Sequence, residues 1–302
     1  MKTPRFALLL GVLVSGLSVD SAASQVSDVS YDRILAATEE PENWLTYNGT
    51  YSSQRHSLLD QINPSNVDDL ELKWMLQNQV FGAWQSNPIV VDGIMYVTQR
   101  PNDVMAVDAI TGRVFWRYQW ANSPDATVCC GANNRGVAIL GDKVFMGTLD
   151  AHLVALDATN GQPLWVTEVG DVNLAYSLTM APLAVKDKVI VGVGGGEYGI
   201  RGYIAAYNAD TGEEEWRFYT IPGPGEPGHE TWEDDDWEHG GASVWVTGSY
   251  DPDLNLTYWG VGNPGPDWNA GRQHPRPRSR RCAEPRPAGR GGHALHRRSG
   301  RC

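Results

Sequence analysis

Three segments of the chain repeat one pattern at a period near 50 residues. Ala106-Val107-Asp108-Ala109-Ile110-Thr111-Gly112 leads four residues on to Trp116, Ala155-Leu156-Asp157-Ala158-Thr159-Asn160-Gly161 to Trp165, and Ala206-Tyr207-Asn208-Ala209-Asp210-Thr211-Gly212 to Trp216. The tryptophans lie 49 and 51 residues apart. Self-similarity at this period, built of short alternating apolar runs and turn residues, signals a radial β-repeat, most often a propeller blade.

The order within a unit is legible. Pro88 to Val91, Asp92-Gly93 and Ile94 to Val97 read as strand, tight turn, strand, and Val137 to Leu140, Gly141-Asp142 and Lys143 to Met146 repeat them. Pro182 to Val185, Lys186-Asp187 and Lys188 to Val191 form a third copy. The Asp or Asn of the motif suits a turn in which the side chain bonds its own backbone, and the glycine supplies positive φ. Trp116, Trp165 and Trp216 are read as packing between neighbouring blades. A weaker fourth unit spans Ala242 to Val246 and Leu256 to Val261, joined by Tyr250 to Asn255, and Asn63 to Leu70 reads as a capped helical turn feeding a strand at Leu72-Lys73-Trp74. The fold class is therefore all-β, a propeller with about four blades present. Propellers close with typically four to eight blades, so the count permits a complete small ring or part of a large one.

The first 24 residues carry Lys2 and Arg5, an apolar stretch from Phe6 to Leu17 and the small-residue run Ser21 to Ser24. This is the pattern of a secretory signal peptide, too short for a membrane span, and it predicts an exported, soluble protein. Residues 271–302 hold ten arginines against the single acid Glu284, so this segment carries +9 and the remaining 270 residues carry −21. A body this acidic argues against nucleic acid or an anionic membrane as the main partner. The 271–302 segment lacks Val, Ile, Phe, Tyr, Trp, Met and Lys and cannot bury a core. It reads either as a disordered basic tail or, the preferred reading, as out-of-frame sequence, leaving 25–270 as the propeller.

Cys129 and Cys130 are adjacent, and they are the only cysteines outside that basic segment. Neighbouring Cα atoms sit about 3.8 Å apart, below the usual disulfide range of roughly 4.4–6.8 Å, so a bond between them closes a strained ring of the kind kept where function uses it. Two unpaired thiols are disfavoured by export, and pairing with Cys282 or Cys302 requires the tail to fold back. Glu197 follows Gly194-Gly195-Gly196, and Asn263 sits in Gly262-Asn263-Pro264. Their oxygens suit a hard cation such as calcium, although a lone glutamate after glycines is more often a solvated turn. Trp232, Trp237, Trp245, Trp259 and Trp268 lie among or beyond the acids Glu233 to Asp236 and Glu238, which read as solvated surface. One of these tryptophans, facing a central cavity, could support an aromatic cofactor by stacking.

Five segments taken together resemble the pyrroloquinoline quinone (PQQ) dependent alcohol dehydrogenases, and they occur in the family's order and spacing between about Asn43 and Asn269. They are Cys129 to Arg135, Leu178 to Pro182, Gly194 to Gly202, Gly240 to Trp245 and Tyr258 to Pro264. The resemblance implies an eight-bladed quinoprotein propeller with the quinone in the central channel. It implies that a Cys129–Cys130 disulfide covers one face of the quinone and Trp245 stacks on the other, that Arg135 bonds a quinone carboxylate, and that Thr179, Gly195 and Gly196 complete the pocket. Gln85 stands where many members place a glutamate. Glu197 and Asn263 match two of three protein ligands to calcium, or to a lanthanide, which acts as a Lewis acid on the quinone carbonyl.

The third ligand in the family is an aspartate that also serves as general base, expected beyond Asn269. The resemblance thus implies a periplasmic oxidoreductase that converts primary alcohols to aldehydes and passes electrons to a cytochrome c. The chain itself is expected to be a truncated, inactive fragment without the catalytic aspartate, and no Cys-x-x-Cys-His haem motif occurs in it. Two alternatives are a non-catalytic propeller scaffold that binds proteins in the cell envelope, which needs neither the vicinal cysteines nor the Glu197 and Asn263 pair, and a polypeptide with no selected function.

Overall fold

A computed structural model describes residues 28–78 and 80–265. The signal peptide read over residues 1–24, Trp268, Asn269 and the whole of 271–302 with Cys282, Glu284 and Cys302 lie outside the described residues.

Each repeat folds as one four-stranded antiparallel sheet with its strands in chain order. The first sheet comprises β1 (Ile89–Val91), β2 (Ile94–Gln99), β3 (Asp103–Asp108) and β4 (Val114–Gln119). The second comprises β5 (Val137–Leu140), β6 (Lys143–Gly147), β7 (His152–Asp157) and β8 (Pro163–Glu168). The third comprises β9 (Leu183–Val185), β10 (Lys188–Gly192), β11 (Tyr203–Asn208) and β12 (Glu214–Tyr219), and a fourth begins with the hairpin β13 (Ser249–Asp251) and β14 (Leu256–Tyr258). Inner strands are buried almost throughout, whereas the outermost strands β4, β8 and β12 alternate, as strands with one wet face do.

The repeated motif forms the turn into each outermost strand. The Asp108 carboxylate accepts the backbone N–H groups of Ile110 and Thr111 at 2.8 and 3.2 Å, and Asp157 and Asn208 bond their own turns in the same way. The register then shifts by a bulge at the same place in all three sheets, just after Ala106, Ala155 and Ala206, each of which faces the tryptophan of its sheet. The first two indoles lean onto the next blade. Trp116 Nε1 donates to the Ala158 carbonyl at 3.0 Å and Trp165 Nε1 to Ala209 at 3.1 Å. A Cβ on Gly161 or Gly212 would fall 2.5–2.6 Å from the indole, so the close approach requires glycine there.

Two expected strands differ from the structure. Leu72-Lys73-Trp74 is not in a ladder, yet Trp74 Nε1 donates to Ala109 at 3.0 Å and its ring lies against Gly112, the docking used by the other blades. Residues 71–78 therefore occupy the place of an outermost strand without inner neighbours among the described residues. The helical turn before them is a short 3-10 segment, Val67–Asp69, whose capping position Asn66 makes no side-chain cap bond. Ala242 to Val246 is not a strand either, and Tyr250 and Asp251, read as a connection, are in β13. The reason is local: residues 241–244 bond to other loops, Val244 N–H to Val193 and Ala242 N–H to Asn263, both at 2.8 Å, which takes them out of the blade.

A strap that the sequence did not announce crosses the ends of the inner strands. It starts in the short helix α1 (Tyr31–Leu35), capped by the Ser30 hydroxyl. Val29 pairs with Gly141 and Trp44 with Val90; the Tyr51 hydroxyl donates to Ala184 at 2.8 Å, and Tyr250 N–H donates to the Tyr51 carbonyl at 3.1 Å. One strap thus touches all four blades.

Candidate functional site

In an antiparallel blade the motif turns and the first hairpin turns share one end. The connections 120–136, 169–182, 193–202 and 220–248 accordingly emerge at the other, joined by 259–265. Backbone bonds weave these loops together: Gly194 N–H to Ser177, Gly262 N–H to Ser243, both at 2.7 Å, and Gly241 paired with both Arg201 and Pro264.

Arg135 stands where the loops of three blades meet. Its backbone N–H and its Nη1 both donate to the Thr179 carbonyl at 3.1 Å, and its guanidinium carbon lies 4.8 Å from the centre of the Trp245 ring. Burial pushes the guanidinium below its ordinary pKa, and no carboxylate is within ion-pair distance of it among the described residues. A half-buried cation held by a neutral carbonyl and an aromatic face is suited to an anionic guest. Trp245 leaves 42% of its surface exposed. Among the other candidate tryptophans, Trp259 is a core residue bonded to Thr257, Trp237 stacks under Arg201, and Trp232 packs where Gly240 leaves room.

Two side-chain atoms buried in this region have no hydrogen-bond partner: Ser243 Oγ and Asn133 Oδ1. Leaving such groups unpaired costs about 1–3 kcal/mol each, which a ligand bearing donors would offset. Ser243 Oγ lies 2.8 Å from where a Cβ on Gly196 would be, and a Cβ on Gly262 would fall 3.1 Å from Trp245 Nε1. The glycines therefore bring the backbone against Ser243 and Trp245. Gly195 has φ +110°, and a Cβ there would meet the Ala175 carbonyl at 2.2 Å. Ser243 and Asn133 were not singled out from sequence; both lie inside the segments that carry the resemblance, but nothing in one sequence marks a hydroxyl or amide as partnerless.

Cys129 and Cys130 are joined as a disulfide, with Cα atoms 3.8 Å apart, five to six residues before Arg135. The Cys130 carbonyl accepts Asn133 Nδ2 at 2.9 Å. Glu197 lies in a 3-10 turn (Gly196–Tyr198) and Asn263 on the adjoining segment, whose carbonyl lies 3.6 Å from the Cβ position of Gly196. No group of three or more His, Cys, Asp or Glu side chains placed to hold a metal occurs among the described residues. Gln85 is exposed.

The fold is a propeller of Trp-docked four-stranded blades whose glycine-backed loops surround a half-buried arginine and an open indole. Residues 44–280 match the family described as PQQ, glucose/ethanol/alcohol dehydrogenase, beta-propeller domain, and the chain belongs to that family. It is 42% identical over 283 residues to quinohemoprotein alcohol dehydrogenase ADH IIB of Pseudomonas putida, covering 89% of this chain and 40% of that protein. Among solved structures it superposes on quinohemoprotein alcohol dehydrogenase ADHIIG of P. putida HK5 with a TM-score of 0.74, at 42% identity over 79% of this chain and 37% of that one. It superposes on a europium-containing methanol dehydrogenase with a TM-score of 0.75, at 37% identity over 80% of this chain and 46% of that one. The chain spans about 40% of the length of the curated relatives it matches. Its described blades cover roughly half of an eight-bladed ring. No helix among the described residues is long and apolar enough to cross a membrane.

Proposed function

We propose that these residues form one side of a PQQ site in a periplasmic dehydrogenase that oxidises primary alcohols to aldehydes and delivers the electrons to a cytochrome c. The observation that carries this reading is Arg135, a half-buried cation with no carboxylate within ion-pair distance among the described residues, its guanidinium carbon 4.8 Å from the centre of the exposed Trp245 ring.

Arg135 would hold a quinone carboxylate and orient the ring system by that charge. Trp245 would support one face of the planar cofactor and the Cys129–Cys130 disulfide would cover the other, excluding water from both. The Ser243 hydroxyl and Asn133 amide would bond the cofactor's polar edge, with Thr179, Gly195 and Gly196 shaping the wall. Glu197 and Asn263 would give a calcium or lanthanide ion two of the six to eight oxygens it takes, the remainder coming from groups beyond the described residues. When bound, the quinone supplies the two-electron acceptor and the cation a Lewis acid. We assign quinone contacts, and no proton-transfer role, to the described residues and expect no turnover from them alone.

The test is to titrate the exported chain with PQQ and calcium, following cofactor absorbance and tryptophan emission, beside a dye-linked ethanol oxidation assay. Saturable binding without turnover is the expected result. An absence of binding would remove the assignment of the site, and turnover would show that another group replaces the base. The scaffold alternative predicts no quinone binding, and saturable binding of the quinone would set it aside.

A further inference from the structure

The loop that carries Cys129 and Cys130 runs from Trp120 to Asn134, between the first and second blades. Its middle makes few bonds, yet both of its ends are fixed to one place, Gly147 at the end of β6 and the 148–151 connection to β7. At the far end Asn134 Nδ2 donates to the Gly147 carbonyl at 2.9 Å. At the near end Trp120 Nε1 donates to both Asp150 oxygens at 2.9 and 3.1 Å, and the Ser123 N–H donates to Oδ2 at 2.8 Å. The Thr148 hydroxyl adds a bond of 2.6 Å from within the turn. Asp150 is 2% exposed and belongs to none of the quinone contacts assigned above. Asn102 reinforces the arrangement, accepting Leu149 N–H at 3.1 Å and donating to Asn122.

We propose that Asp150 is a positioning residue whose buried carboxylate staples the start of the 120–134 loop to the second blade and thereby fixes where the Cys129–Cys130 ring sits. The chemistry favours an anion in this place. Three donors from two sides converge on one group, and a carboxylate accepts all of them while a neutral amide must turn a donor toward at least one. Burial alone pushes the Asp150 carboxyl up, but the bonds from Thr148, Ser123 and Trp120 outweigh it and hold the group ionised below its ordinary value. The staple itself is independent of any cofactor; its consequence for a quinone rests on the reading given under Proposed function.

The experiment compares the full chain with Asp150→Asn and Trp120→Phe. Phenylalanine keeps an aromatic ring against His152 but removes the indole N–H, which serves should the aspartate variant fail to fold. Hydrogen exchange by mass spectrometry is read in peptides covering 121–131, 143–147 and 152–157, and PQQ affinity is measured with calcium present. At least tenfold faster exchange confined to 121–131, with the strands unchanged, is expected, together with at least tenfold weaker quinone binding. Unchanged exchange at 121–131 in a folded variant overturns the staple, and equal acceleration in the strands overturns it too, since that marks general destabilisation. Local acceleration with undiminished quinone affinity overturns the positioning role. If the parent chain binds no quinone, the functional reading fails, while the exchange pattern still decides the staple.

Discussion

The indole of Trp116 and the carbonyl of Ala158, 42 residues apart in sequence, meet at 3.0 Å across the boundary between the first and second blades. The ring rests on Gly161, and the same contact recurs between Trp165 and Ala209 over Gly212. Blade-to-blade geometry is thus set by one polar bond and one missing methyl group, repeated.

That relation predicts the effect of Gly161→Ala. The residue has φ +73°, and its new Cβ would lie 2.5 Å from the Trp116 ring, combining backbone strain with overpacking for a loss of about 2–5 kcal/mol. Gly93→Ala is the comparison, with φ +78° and nothing within 4 Å, and it should cost only about 1 kcal/mol. Urea unfolding of both variants measures the difference; equal losses would mean that the tryptophan contact is soft.

Ser243→Ala should leave the melting temperature of the cofactor-free chain unchanged or slightly raised, because the buried hydroxyl it removes has no partner. Quinone affinity should fall roughly fivefold to tenfold if the hydroxyl bonds the cofactor, about the worth of one hydrogen bond. Calorimetry and a binding titration check the two halves separately.

Arg135→Leu removes a half-buried cation that lacks a counter-charge, so thermal stability should hold while quinone affinity drops by about 100-fold, as for loss of a charge-assisted bond. Arg135→Lys should recover only part of the affinity, since an ammonium lacks the planar fork. A large loss of stability in the leucine variant would show that the arginine is structural.

Acid should loosen the strap at a clamp of Arg33, Glu40 and Asp92. Arg33 Nη2 lies 2.6 Å from Glu40 and 2.7 Å from Asp92, and the Arg33 bond chiefly holds the Glu40 carboxyl below its ordinary range. A folded value below the unfolded one means that the contribution is complete above the unfolded value of about 4.3 and is lost as pH falls through the folded value. The melting-temperature gap between the parent and Glu40→Gln should therefore be constant from pH 7 to about 5 and shrink below about 4. A gap that persists at low pH would refute the ionic clamp.

The blades were legible because their determinants are local: an aspartate or asparagine bonding its own turn, a glycine at positive φ, a tryptophan four residues later. The strap was not, because Tyr51 and Ala184 are 133 residues apart and no periodicity links them. Within the site, the motif resemblance named Arg135 and Trp245, and the structure brings them together. Residue type and local pattern could not separate Trp245 from Trp259, since both stand in short apolar runs; Trp259 ends in the core and Trp245 is left open. Ser243 escaped notice because an unsatisfied hydroxyl exists only once its neighbours are in place.

The strap has a kinetic consequence. Tyr31 and Tyr250 join hydroxyls across 219 residues, and Tyr51 meets the same Tyr250 ring with centroids 5.1 Å apart. Tyr31 and Tyr51, made early, therefore wait for Tyr250, made 219 residues after Tyr31, before the strap can settle. Each blade can mature from its own short-range pairings, in sequence, as the units of a linear array do. The strap adds a long loop closure on top of that order and turns an array with separable ends into a single cooperative unit only when synthesis has passed residue 250.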